Sequence, residues 1–187
     1  MPGLAGEGRG DAVKIELGGG GSPKGEGFVN VDIMDLPGVD IICDVRNAPL
    51  PFQDDSVDEV YSSHMFEHLS AVEFPLHEIA RVCKLGAKFE MRVPHTLSAM
   101  AMVLGHTTTV SPDWVRHWCE EYVGVWWAGC KKRLRLDRYE DIPGGHFPEA
   151  RRLFPNLTSA EVMRYIPNAA FEHRFYFTVV PNEGGGR

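Results

Sequence analysis

Residues 13–32 limit what this chain can fold into more than any other stretch. Val13, Ile15 and Leu17 alternate with polar residues as in a half-buried strand, and four consecutive glycines follow at Gly18, Gly19, Gly20 and Gly21. A second apolar run, Phe28-Val29-Asn30-Val31, then closes on the carboxylate of Asp32. A strand, a glycine turn and a second strand ending in an acid is how a doubly wound α/β sheet builds a nucleoside site. Glycine lets the backbone approach the ligand, and the terminal acid accepts from two ribose hydroxyls.

The spacing narrows the nucleoside. Dinucleotide folds need a glycine turn that opens a full helix, because the helix N-terminus carries the pyrophosphate. Pro23, Gly25 and Gly27 leave almost no room for that helix. The interval from Glu16 to Asp32 is also short against the roughly 30 residues of a complete strand-helix-strand unit. A nucleoside without phosphates fits better. S-adenosylmethionine, with an amino acid where the phosphates would be, has that chemistry. The plainer reading, a glycine linker after a strand, leaves the acid at Asp32 unexplained.

Composition sets outer limits. A chain of 187 residues is expected to form one domain with a genuine core, and 43% hydrophobic with 24% charged residues is ordinary for a globular protein. The net charge of −7 argues against a broad nucleic-acid footprint, which needs a basic face, and favours a small molecule or a peptide as partner. Cys43, Cys83, Cys119 and Cys130 show neither CxxC pairing nor metal-ligand spacing, so reduced thiols and a cytoplasmic location are expected. No apolar run approaches the roughly 18 residues of a membrane span, and no signal-peptide core is seen. The Gly-rich ends, 1–11 and 181–187, are expected to be loose.

Along the chain the pattern predicts strands at 39–43 and 56–63, a helix over 71–84 ended by Gly86, and a fifth strand at 89–93 broken by Pro94. Phe74, His77, Ile79, Ala80, Val82 and Cys83 are placed on that helix's apolar face. Strands separated by loops or helices, each with an acid or polar residue at its C-terminal end, indicate a mostly parallel sheet with ligands gathered at those ends. Beyond Pro94, 97–104 and 112–123 read as helices and 131–139 as a charged edge strand. Residues 158–165 read as a helix with a capping box, Thr158 and Glu161, and 171–180 as a long final strand. Two late strands with little chain for a crossover suggest an antiparallel pair at one sheet edge.

Taken in order, these residues resemble the class I S-adenosylmethionine-dependent methyltransferases, the seven-stranded Rossmann-like group. Within it they resemble the short bacterial "NVDI" type, methyltransferase-domain-11-like. The resemblance rests on Glu16-x-Gly18-x-Gly20, Asn30-Val31-Asp32-Ile33, Asp44, Leu50-Pro51-Phe52 leading to Ser56-Val57-Asp58, and Ser62-Ser63-His64-Met65-Phe66-Glu67-His68. It implies an α/β fold in a single domain: a mostly parallel seven-stranded sheet, a cofactor half over 12–94 and an acceptor half over 95–180. It also implies a cofactor, S-adenosylmethionine, released as S-adenosyl-L-homocysteine, and a small-molecule methyl acceptor. Glu16, Gly18 and Gly20 would line the methionine end, Asp32 with Ile33 the ribose, and Asp44 with the Val45 amide the adenine. Ser63 and His64 would close the site near the sulfonium. In similar proteins a His-containing loop after the fifth strand faces the acceptor, which makes His95 and His106 candidates beside His64 for catalysis. Two departures stand out: the helix after the glycine loop is nearly absent, and Lys84-Leu85-Gly86-Ala87 stands where the family has Lys-Pro-Gly-Gly.

Two rival functions remain in view. His64-Met65-Phe66-Glu67-His68 spells HxxEH, a zinc-hydrolase motif that requires all five residues on one helix and a further ligand. Because they follow directly on a strand, no metal is assigned, and Glu67 and His68 are read as structural helix-start residues. A catalytically silent protein that keeps the fold as a binding or partner subunit shares most of the same motifs. Trp114, Trp118, Trp126 and Trp127 are read as a buried helix face before an aromatic acceptor pocket.

Overall fold

The computed structural model describes residues 12–183. Five strands run parallel: β1 (Lys14–Leu17), β2 (Phe28–Asp32), β3 (Ile41–Ile42), β4 (Val57–Ser63) and β5 (Cys83–Pro94). Two later strands, β6 (Lys132–Pro143) and β7 (Ala170–Pro181), complete a sheet of order β3-β2-β1-β4-β5-β7-β6, in which β7 runs antiparallel to both neighbours. This is the expected α/β Rossmann-like sheet with its late antiparallel strands. From β1 the chain winds outward to β3, then returns to place β4 against β1's other edge. The C-terminal ends of β1 and β4 therefore flank a switch point, where loops leave in opposite directions and open a crevice.

Ile15, Leu17, Val31 and Val60 are fully buried. No helix links β1 to β2 among the described residues. Instead Lys24 folds its ammonium over the rings of Tyr61 and Phe28, at 3.8 and 5.0 Å, and covers by cation–π contact what a helix would cover.

Several expectations shift in detail. The helix α1 (Glu73–Val82) buries Leu76, Ile79, Ala80 and Val82 but leaves Phe74 40% exposed, because its inner face centres on Leu76 and Ile79. It ends at Cys83, which caps it and opens β5 at once, so Gly86 does not terminate the helix. Gly86 lies inside the strand at φ +85°, where the pairing with β4 slips between Val57 and Glu59; glycine supplies the left-handed backbone an irregularity of this kind needs. The expected strand 39–43 contracts to Ile41–Ile42. The helix expected at 97–104 is only a 3₁₀ turn, Ala99–Met102. The one expected at 112–123 divides into α2 (Pro112–Arg116), a π-helical turn (His117–Glu121) and α3 (Val123–Trp126).

Helix α4 (Phe147–Leu153), absent from the sequence reading, has Pro148 and Glu149 in its first turn and Arg151 and Arg152 in its last, whereas α5 (Ser159–Tyr165) opens on the predicted capping box of Thr158 and Glu161. Trp118 and Trp127 are core residues: the Trp127 indole N–H donates to the Trp118 carbonyl at 3.1 Å, and Trp118 stacks on Phe177 at 5.6 Å. All four cysteines are free. Of the ends expected to be loose, 1–11 and 184–187 lie outside the described residues. Pro181 and Asn182 are anchored instead, the first closing β7 and the second donating to the carbonyls of Trp127 and Cys130 at 2.8 and 3.0 Å. No described helix is long and apolar enough to cross a membrane.

Candidate functional site

The crevice at the switch point holds a cavity of about 250 Å³ whose lining includes Gly18, Asp32, Ile33, Asp44, Val45 and His64. These are six of the nine residues the sequence reading gave to the cofactor. The other three stand behind it. The Gly20 N–H donates to Asp32 Oδ2 at 2.9 Å, Glu16 Oε2 accepts from the Lys24 amide, and Ser63 ends β4 immediately before His64.

Backbone geometry explains the glycines. Gly18, at φ +75°, donates its N–H to the Val31 carbonyl at 2.9 Å and turns the chain off β1 across the end of β2. A Cβ on Gly19 would lie 2.5 Å from Asn30 Oδ1. The Asn30 amide ties two loops together, donating to the Gly20 and Gly38 carbonyls at 2.9 and 2.8 Å. Asp32 accepts from Gly20 and, at 2.8 Å, from the Met34 amide, so its carboxylate is aimed before any ligand arrives. Asp44 is gripped by Arg46, Nε to Oδ1 at 2.7 Å and the terminal nitrogen to Oδ2 at 2.8 Å. Those bonds from Arg46 hold the Asp44 carboxyl down at about 2.

His64 sits at φ +54°, a left-handed conformation that costs a non-glycine residue about 1–3 kcal/mol and persists only where the surroundings impose it. Its surroundings do. Nε2 lies 2.9 Å from Glu172 Oε2 and Nδ1 lies 3.1 Å from Glu67 Oε1. These bonds, Glu172's first, raise the imidazole to about 9, so at neutral pH it is a cation donating to both carboxylates. Arg174 braces the far oxygen of Glu172 at 2.5 Å. Glu172 gave no sequence signal: it comes from β7 and reaches the site only because Pro94 and Glu172 are register partners. Glu67 was read as a helix-start residue, but it is 2% exposed, and Phe66–His68 is a 3₁₀ turn. The single helix required by the zinc-hydrolase reading of HxxEH does not form.

His95 lies elsewhere, on a second cavity of about 250 Å³ lined by Thr96, Tyr139, Asp141, Arg164 and His173 among others. Burial, then the neighbouring His173, pushes His95 down to about 4 from its usual 6.5. The unfolded chain therefore takes up a proton that the folded one refuses between these values. Stability is full above pH 6.5 and falls as pH drops toward 4. At about 1.4 kcal/mol per pH unit, denaturant melts should lose about 2 kcal/mol between pH 6.5 and 5. His95→Asn, which retains an acceptor for the Leu97 amide now 3.2 Å from Nδ1, should flatten that slope. An unchanged slope in the variant would assign the acid loss to other groups. His106 lines neither cavity's wall directly; it stands edge-on to His68, a residue of the first cavity, with ring centres 4.6 Å apart.

The family model of the methyltransferase domain matches residues 27–91, from just before β2 into β5. A SAM-dependent methyltransferase from Archaeoglobus fulgidus superposes with a TM-score of 0.62 at 16% identity, covering 90% of this chain and 86% of that one. The putative methyltransferase solved in complex with the Trm112 methyltransferase activator of Haloferax volcanii gives 0.56 at 19% identity, over 91% and 83% of the chains. The geranyl diphosphate C-methyltransferase of Streptomyces coelicolor, solved with Mg2+, geranyl diphosphate and S-adenosyl-L-homocysteine, gives 0.58 at 11% identity, over 90% and 72%. No curated protein sequence matches. The chain has the class I SAM-dependent methyltransferase fold.

Proposed function

We propose that the protein transfers the methyl group of S-adenosylmethionine to a small polar acceptor and releases S-adenosyl-L-homocysteine. The observation that carries this reading is the cavity at the switch point, with the Asp32 carboxylate pre-aimed at one side and the Gly18 turn at the other. The residues fit the cofactor. A Cβ on Gly18 would overlap Met65, so only glycine shapes that wall, and each Asp32 oxygen keeps a lone pair for a ribose hydroxyl. In this reading the Val45 amide takes the adenine beside Asp44, whose carboxylate is braced by Arg46 and Asn47. The glycine loop backed by Glu16 and Gly20 takes the methionine end, and Ser63 and His64 lie toward the sulfonium.

When bound, S-adenosylmethionine supplies both the electrophilic carbon and its leaving group, so the chain itself must bind, align and exclude water. His64 has both nitrogens donating to carboxylates and no lone pair for an incoming proton; its part is to hold the loop after β4 against Glu172. The acceptor half, 95–180, supplies the second cavity. There His95, Asp141, Arg164 and Tyr139 offer hydrogen bonds to a polar molecule.

Calorimetry and thermal melts with S-adenosyl-L-homocysteine test the cofactor, since a ligand of the native state alone raises the melting temperature by mass action. Release of S-adenosyl-L-homocysteine over a panel of small alcohols, amines and acids tests turnover. No shift with S-adenosylmethionine or its product, alongside a shift with a dinucleotide, would overturn the assignment. Binding without turnover across the panel would favour the silent partner subunit.

A further inference from the structure

Two groups of described side chains each bring three potential ligand atoms within 4.8 Å of one another: His95, Asp141 and His173 in the second cavity, and Glu67, His68 and His106 at the rim of the first. Their polar atoms are engaged very differently. In the first group His173 Nδ1 donates to Asp141 Oδ1 at 2.7 Å, while the Thr96 and Leu97 amides donate to His173 Nε2 and His95 Nδ1, each at 3.2 Å. No buried side-chain atom of that set lacks a partner. In the second, Glu67 Oε2 and His106 Nδ1 are both buried and have no hydrogen-bond partner. An unpartnered buried polar atom is costly, more so when charged, and native structures leave few of them.

The chain holds these groups in place. The Thr107 and Thr108 amides donate to the Glu67 carbonyl at 2.7 and 3.0 Å, and the Thr108 hydroxyl donates to the Leu69 carbonyl. Residues 105–108 are thereby pinned onto the Phe66–His68 turn, which sets His106 beside His68. His68 Nδ1 lies 3.1 Å from the Gly105 carbonyl, so Nδ1 carries the hydrogen and Nε2 keeps its lone pair. A backbone carbonyl on the second nitrogen is the outer partner that metal-bound imidazoles use. Glu67 is oriented in the same way, its Oε1 held by His64.

We propose that Glu67, His68 and His106 bind one divalent transition-metal ion, Zn2+ or a first-row neighbour. One ion gives both orphaned atoms a partner at once. Two imidazoles with a carboxylate suit Zn2+, Co2+, Ni2+ or Fe2+, whereas Mg2+ and Ca2+ take oxygen donors. The site is not the HxxEH arrangement, because His64 has both nitrogens on carboxylates and contributes none. Three protein ligands leave a coordination position open. His68 also lines the first cavity, but the metal site does not rest on the methyltransferase reading.

The test uses the full chain, stripped with chelator and dialysed against Zn2+, with bound metal quantified and the visible d–d absorption of a Co2+ form recorded. One equivalent per chain is expected. His68→Ala and His106→Ala, each checked for folding by circular dichroism, should weaken it at least about 100-fold, the upper end of what losing a mere outer partner costs. Asp141→Asn in the second cavity should retain the full equivalent. No stoichiometric metal in the unaltered protein, full retention in both histidine variants, or loss in Asp141→Asn in place of them would each overturn the site. S-adenosyl-L-homocysteine affinity is measured on the same stripped protein, so a failure of the metal site and a failure of the cofactor assignment show separately.

Discussion

Asp32→Ala should weaken S-adenosyl-L-homocysteine by at least about tenfold in calorimetry. The carboxylate ends β2 almost fully buried, at 9% exposure, and each oxygen already accepts one backbone amide, Gly20 on one side and Met34 on the other. A carboxylate has about four acceptor positions, so two remain for the ribose hydroxyls. Hydrogen bonds to a charged group contribute about 1.5–3 kcal/mol each, and 1.4 kcal/mol is already tenfold in affinity. Loss of either bond meets that bound; loss of both, with the glycine loop released from its anchor, exceeds it. Asp32→Asn keeps one acceptor oxygen and should fall between. An unchanged dissociation constant in a folded Asp32→Ala protein would remove this acid from the ribose.

The first two strands and the turn between them were legible because their signals are local. The alternation of Val13 to Leu17, the glycine run and the acid at Asp32 lie within twenty residues, and each has one inexpensive structural answer. The boundary at Gly86 misled for a physical reason: glycine with a positive φ serves a helix end and a strand irregularity equally well, and only the pairing of β4 with β5 decides between them. Of the helices expected after Pro94, 97–104 shrinks to a 3₁₀ turn because Leu97, Met100, Met102 and Leu104 stay exposed and no packed face supports a longer helix, whereas 112–123 keeps its helical turns around Trp118, which stacks on Phe177.

The polar surroundings of His64 were not legible at all. Glu67 stood in the sequence beside His64, but its burial depends on residues 105–108 folding back over it. Glu172 is separated from His64 by 108 positions and meets it through a register between antiparallel strands. No periodicity or motif encodes that register. His95 and His106 looked equivalent, two histidines shortly after the fifth strand. Burial separates them, His95 tilted against His173 with ring centres 4.2 Å apart and His106 edge-on to His68.

Gly18→Ala should cost about 2–5 kcal/mol of stability and abolish measurable cofactor binding. Two costs add. The left-handed backbone at φ +75° disfavours any Cβ by about 1–2 kcal/mol. The new carbon would also lie 2.7 Å from both Cβ and Cγ of Met65, and overpacking of this kind costs about 1–3 kcal/mol. Met65 can swing its thioether away, but its Cβ moves only with the backbone, and the next residue toward the N-terminus is His64. Relief therefore displaces the residue held between Glu67 and Glu172 and narrows the cavity from the side where the methionine end belongs. Gly20→Ala supplies the comparison. At φ +54° it bears a similar backbone cost, yet nothing lies within 4 Å of its added carbon, and its N–H to Asp32 survives. Denaturant melts should show Gly20→Ala losing only the conformational part, with S-adenosyl-L-homocysteine still bound, while Gly18→Ala loses both. Equal melts and equal affinities for the two variants would mean that the Gly18 wall yields, and that the tight turn off β1 does not shape the cofactor site.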